Sequence, residues 1–414
     1  MAKRLAAIIF IFVCTAVAWL ILGATIMNRT YDMDSGLKEK VASNWGTQQK
    51  QSPPEATWTR TRKQTNLVAT ENGKTERREV EVVDAFALPL EASEVTADLA
   101  LEHRQKGLLW YSTYKVAFAG TYTFRNDSAQ EQDVSFKLTF PAAQAIYDDL
   151  TLLVDGKAVA TKTDAGGVHG SARVAAGQTA QLKVGYRSQG LERWSYDFGG
   201  DNERVAQVRD FKLHMTTNFK DIDFPENTLS PTEKRETPGG WALDWDYKNL
   251  VTGYAIAMAM PEKLQPGPLA GQISFFAPIS LFFFFFLMFI ITTLRGSDLH
   301  PMNYFFLAAA FFAFHLLMAY LVDHISIHLA FAISAVVSII LVISYLRLVV
   351  GIRFAAVEAG LAQLVYLVLF SYAFFFKGFT GLAITIGSIL TLFVVMQMTG
   401  RVNWAEKFAK KPAV

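Results

Sequence analysis

Asp323, His324 and His328 stand within six residues of one another. A carboxylate and two imidazoles form a donor set suited to a divalent metal, and His324 and His328 are four apart, so on one helix they share a face. Against a metal, the other outer turn holds no second acidic or histidine cluster, and polar residues also mark where an apolar run stops. The second reading is preferred, and no metal site is expected.

His315 and Glu358 lie inside apolar runs. A charged residue at the centre of a bilayer costs about 2.5–3.5 kcal/mol, which makes such groups functional candidates by default. Glu358 lies about a turn and a half from Arg353, so pairing or snorkelling would relieve it. A conducting path needs several facing groups, and two do not make a relay. A small-solute transporter or channel using Glu358 and His315 is therefore the alternative reading, not the first.

The remaining candidates are weaker. His300-Pro301 would titrate or bind an anion, but proline also suits the first turn of a helix, and that structural reading is preferred. His103, His169 and His214 are dispersed without ligand spacing. Adjacent Asp148 and Asp149 would point apart on a strand, so a surface turn is expected. There is no G-x-S-x-G, H-E-x-x-H or Gly-rich phosphate loop. No catalytic, cofactor-binding or metal residue is expected, and no enzyme; a membrane enzyme with a site near His324 is the third reading.

The elements that position these residues are mostly apolar. Residues 272–400 hold five apolar runs at about 272–294, 302–322, 328–346, 350–374 and 379–399. Each is long enough to cross the roughly 30 Å hydrocarbon layer. Lys3-Arg4 precede a further run from Leu5 to Met27. It is longer than a signal-peptide core and lacks a clean small-residue cleavage site, so an uncleaved anchor over 1–27 is expected. The Phe run at 282–286 covers the whole helix circumference, implying lipid contact or tight packing. Gly351, Gly360, Gly387 and Ser388 would let helices approach closely.

Between these spans the period changes. Asp34 to Trp45 places Leu37, Val41 and Trp45 on one helical face, within a 28–57 segment of amphipathic helix and linker closed by Ser52-Pro53-Pro54. From 58 to 260, residues alternate as in strands: Val134, Phe136, Leu138 and Phe140, then Phe211, Leu213 and Met215, then Trp241, Leu243, Trp245 and Tyr247. Asp155-Gly156 marks a two-residue hairpin. An antiparallel, sandwich-like domain is expected, followed by a stiff linker over 261–271 whose prolines bar helix and central strand. The predicted fold class is an α+β membrane protein: a six-helix transmembrane bundle, one helix N-terminal and five C-terminal, with an inserted all-β periplasmic domain.

Hydrophobic residues make up 51% and charged residues 18%, with the charge concentrated between Asn28 and Lys263. A net charge of +2 points to no polyanionic partner, so nucleic acid is not expected. The single cysteine, Cys14, excludes disulfide frameworks and thiolate metal sites. Lys3, Arg4, Arg295, Arg347, Arg353 and the basic tail 401–414 (Arg401, Lys407, Lys410, Lys411) fall on one side of the spans. The turns around Asp323 and Lys377 hold one basic residue. The positive-inside rule then puts both termini in the cytoplasm and residues 28–271 in the periplasm of a bacterium.

This order of segments resembles the CreD-like inner membrane proteins. Leu299-His300-Pro301-Met302-Asn303-Tyr304 is similar to that family's L-H-P-[MV]-[QN]-Y. Trp45-Gly46 with Gln48-Gln49 resembles its W-G-x-x-Q, and His103 to Phe124 its R-x-R-G-I-Y segment. Asp323-His324 falls where it has an acidic residue followed by His, and Ile386-Gly387-Ser388 and Thr399 to Trp404 resemble its L-G-S and T-R-x-x-[DN]-W. The chain departs at Asn218 to Ile222, where the family has W-x-H-P-S-F, and at Lys377-Gly378, where it has an acidic pair. The resemblance implies an envelope-integrity or stress-response protein, without assigned catalytic residues, whose partners are the lipid bilayer and a periplasmic or membrane protein met by the β-domain.

Overall fold

Apolar runs of 20 or more residues satisfy every backbone group internally as helices, which is the arrangement hydrocarbon demands. The computed structural model describes residues 2–69, 75–106, 109–199, 205–297, 299–376 and 378–402. Lys377, Asn403, Trp404, Lys407, Lys410 and Lys411 lie outside the described residues. Among those described, six helices are long and apolar enough to cross a membrane. The chain divides into two compact units: Met1–Leu37, Gly107–Leu109 and Leu264–Val414 form a helical unit, Lys38–Lys106 and Trp110–Lys263 a strand-rich one.

The first helix runs from Ala2 to Trp45 without interruption. The anchor and the amphipathic segment are thus one element. It stops at Gly46, not at Ser52-Pro53-Pro54: Gly46 has φ 85 and its N–H bonds Ala42 O at 2.8 Å. Only glycine takes that left-handed conformation without strain, and a Cβ there would lie 2.6 Å from Gln189 O.

The other five are Pro266–Arg295, Pro301–Leu321, Ile327–Val349, Phe354–Phe375 and Thr380–Thr399. The second helix starts inside the predicted linker. Pro266 and Pro268 sit in its first turn, where the missing N–H costs nothing, so these prolines begin the helix that they were expected to bar. The fifth widens to π turns at Phe354–Ala359 and Leu364–Leu369.

Close packing of the first two helices depends on small residues. Gly23 lies against the Phe275 backbone, Gly267 against Thr30 and Gly271 against Met27, where an added Cβ would meet atoms at 3.2, 2.5 and 2.8 Å. The two helices are therefore antiparallel and in near backbone contact. The Phe run divides by face: Phe284 and Phe285 are buried against Phe311 and Tyr304, while Phe282 and Phe286 stack outward on each other. Gly360 faces Ile343 as a small residue would, whereas Gly351 and Gly387 meet nothing.

In the strand-rich unit the alternating segments form strands Gln132–Thr139, Ala206–Thr217 and Trp241–Thr252. Three sheets of three, five and eight strands share one core. Phe124 and Phe136 meet edge to face across it, and Trp194 and Trp245 are fully buried, each contributing about 2–3 kcal/mol. Asp155 and Gly156, both at positive φ, make the expected hairpin. The five-stranded sheet is antiparallel throughout, whereas the three- and eight-stranded sheets are mixed. Phe211–Thr217 runs parallel to Ser93–Leu99, and Gln49–Gln51 runs parallel to Trp194–Tyr196. Long connections between those strands permit the parallel pairing. Asp148-Asp149 is a bulged point within strand Tyr147–Val154, and not a turn: Asp149 has φ 52 and the register shifts opposite it.

Candidate functional site

Two ion pairs of the helical unit sit at its opposite ends. At one end Arg29 donates to both oxygens of Asp323, at 2.9 and 3.0 Å. Asp323 follows the third helix, so this ion pair ties the first helix to the turn between the third and fourth. His324 and His328 are not on a common helix: His324 closes a turn onto Leu321 O, and the fourth helix begins at Ile327. Both histidines are exposed, and the His328 ring packs 5.1 Å from that of Phe375. Among the described residues no group of three or more His, Cys, Asp or Glu is placed to hold a metal.

At the opposite end Glu358 pairs with Arg295, not with Arg353. Arg353 is exposed at the start of its helix, whereas Glu358 turns inward to the end of the second helix. The carboxylate is only 17% exposed, and its Oε2 is buried without a partner. Nearby, His300 caps the third helix by accepting Met302 N–H on Nδ1 at 3.2 Å, with Pro301 at the first helical position. Asn303 accepts from Tyr345 at 2.8 Å, and Leu299 and Tyr304 are buried. The Leu299–Tyr304 segment is thus a helix start docked on its neighbours.

His315 lies between these ends, about 20 Å up the third helix from Pro301 at 1.5 Å per residue. It is wholly buried, with edge contacts to Trp19 and Phe314. Nδ1 donates to Phe311 O at 3.0 Å, which leaves Nε2 as an acceptor with no partner. Trp19 Nε1, from the ring that His315 contacts, also has none, so a donor and an acceptor lie unpaired on these two rings. The structure does not bring His315 and Glu358 together.

Spacing reasoning missed a second set of polar residues. Gln363 Nε2 donates to Ser338 Oγ at 2.7 Å, which donates to Ala310 O at 2.6 Å. Tyr366 OH meets Thr391 Oγ1 at 2.7 Å, and Ser280 Oγ bonds Tyr366 O where the fifth helix is widened. These bonds join neighbouring spans in a medium with no competing water. Ile386-Gly387-Ser388 line an apolar hollow of about 330 Å³ beside Phe283 and Tyr366. A glutamine in the middle of an apolar run was the available signal.

In the strand-rich unit His103 Nε2 donates to Pro261 O, His169 meets Asp164, and His214 Nδ1 meets Asp244 at 2.6 Å. Partial burial raises the Asp244 carboxyl, but hydrogen bonds from His214 and Arg235 outweigh it and hold it below the usual carboxylate range. Gln49 and Gln51 are buried from the short strand after Gly46. Gln49 Nε2 donates to Ser188 Oγ, and Gln51 Oε1 accepts from Tyr186 OH. They dock the chain leaving the first helix into the core. Where the W-x-H-P-S-F pattern is missing, Asn218 Oδ1 accepts from Leu101 N–H and Phe219 is buried, so the segment is a packed connection.

A family model described as inner membrane protein CreD matches residues 1–405. No curated protein matches the chain. Among solved structures, a putative nutrient binding protein from Legionella pneumophila is 9% identical, with 58% of this chain and 76% of that one covered and a TM-score of 0.33. The M1 zinc metallopeptidase from Deinococcus radiodurans is 12% identical, with 42% of each chain covered and a TM-score of 0.27. At these TM-scores neither likeness bears on fold or function.

Proposed function

The chain belongs to the family of inner membrane protein CreD, and from that premise we propose that it is a non-enzymatic protein of envelope integrity or stress response, with its strand-rich unit as a periplasmic interaction module. The observation that carries this reading is the use to which the ionisable groups of the helical unit are put. Arg29 is bound to Asp323 and Arg295 to Glu358, while His315 is sealed among aromatic rings far from either pair. Such groups hold helices together and do not line a path. The Lys and Arg distribution supports cytoplasmic termini and a periplasmic location for residues 28–271.

The test separates this role from transport. At matched protein level, a chain carrying Glu358→Gln and His315→Phe, which keeps a ring in the buried site, should keep its envelope phenotype; loss of phenotype at normal level would favour a transport path. In living cells, photo-crosslinkers at exposed Val83 and Val251 should capture an envelope component. A tag at Val414 reached by reagents that do not cross the inner membrane would overturn the orientation.

A further inference from the structure

The strand-rich unit contains a polar pocket of about 380 Å³, lined by Val41, Asn44 and Trp45 from the end of the first helix and by His103, Arg104 and Lys106. Its donors outnumber its acceptors. The Arg104 guanidinium lies over the Trp45 ring, 3.3 Å from the centroid, and Nη2 donates to Glu102 at 3.0 Å. Glu102 is shared, because its other oxygen takes Lys115 Nζ at 2.7 Å. One carboxylate therefore serves two cations and does not neutralise Arg104. Arg104 Nε is buried with no acceptor, and Lys106 has no ion-pair or hydrogen-bond partner among the described residues. His103 is held in place by its bond to Pro261 O, which Ser112 Oγ also contacts at 2.5 Å.

A larger hollow of about 470 Å³ on the same unit lacks this imbalance. There Asp98 and Asp148 line the hollow beside Lys115 and Arg187, and Arg187 is paired with Asp149.

A buried guanidinium N–H, an ammonium and a side-chain amide around one concavity call for a ligand that brings several acceptor oxygens and negative charge. We infer that this pocket binds a phosphate-type oxyanion, carried either by an anionic phospholipid headgroup or by free phosphate. The rigid Trp45 face and the pinned Arg104 preorganise the site, and Lys106 supplies the uncommitted charge.

The full-length chain labelled with 5-fluorotryptophan tests this. The Trp45 fluorine resonance is assigned by its loss in Trp45→Phe. In one arm the protein in neutral detergent is titrated with inorganic phosphate. In the other it is reconstituted in nanodiscs of phosphatidylcholine, with or without phosphatidylglycerol. A saturable shift of the Trp45 resonance is expected in at least one arm, and the arm that responds identifies the source. Lys106→Ala should weaken binding about tenfold, as should Arg104→Gln, with the Trp245 resonance unmoved as the mark of an intact core. A Trp45 resonance still in both arms, or equally responsive in Lys106→Ala, overturns the proposal.

Discussion

Arg29 and Asp323 stand 294 residues apart and meet through two hydrogen bonds, of 2.9 and 3.0 Å. Both bonds come from the one nitrogen Nη2, which joins the first helix to the turn after the third. The groups are 42% and 25% exposed. Arg29→Ala should therefore lower stability in detergent by only about 1 kcal/mol. The swap Arg29→Asp with Asp323→Arg should recover part of a loss that either single reversal produces, as read by thermal unfolding.

Glu358 is more deeply placed, and its partner is the helix-ending Arg295. Removing Arg295, itself 55% exposed, leaves the mostly buried Glu358 carboxylate uncompensated, so Arg295→Ala should cost roughly 1–3 kcal/mol, more than Arg353→Ala, which removes no partner of Glu358. Equal melting temperatures for the two variants would contradict this assignment.

Because Trp19 Nε1 and His315 Nε2 are both without partners, the imidazole has a packing role more than a polar one. His315→Phe should be tolerated better than His315→Ala, which opens a cavity and should cost about 2–4 kcal/mol. Envelope phenotype should follow the stability of the two variants, not the presence of a titratable ring.

Contact between the first and second helices should tolerate added volume poorly. A Cβ on Gly267 would lie 2.5 Å from Thr30 Oγ1, whose hydroxyl is bonded to Ile26 O, whereas at Gly271 the nearest atom is the flexible Met27 Sδ. Gly267→Ala should thus destabilise more than Gly271→Ala. Thr30→Ala should relieve the first in a double-mutant cycle, with a coupling of about 1 kcal/mol.

Asp244 gives the strand-rich unit a pH dependence. Its folded carboxyl titrates below the ordinary value of about 3.9, so the unfolded chain binds the proton more readily. The stability that its bonds supply is complete above that value and is lost as pH falls through the lower folded one. Stability lost on Asp244→Asn should be largest above about pH 5 and shrink below about pH 4. A difference that grew on acidification would have the wrong sign.

Span positions were legible because bilayer thickness imposes a length that shows directly in one dimension. The alternating strands and the Asp155-Gly156 turn were legible for a similar local reason. Proline at 266 misled, because the same residue that breaks a helix interior begins one. Parallel pairing of Gln49–Gln51 with Trp194–Tyr196 was beyond reach, since it depends on which distant strand is adjacent. Among the candidate residues, the helix-start role of His300 was readable from its proline. The partner of Glu358 was not: Arg353 is near in sequence, but Arg295 is near in space. Glycines 23, 267 and 271 signal their role only once the helices are seen to be antiparallel.

The lone Cys14 is exposed on the first helix, and this gives the molecule an unusual spectroscopic property. A nitroxide attached there has no second label within its own chain. Any dipolar modulation in a fully labelled, reconstituted sample must then arise between two copies, so one pulsed measurement reads self-association without a single engineered residue.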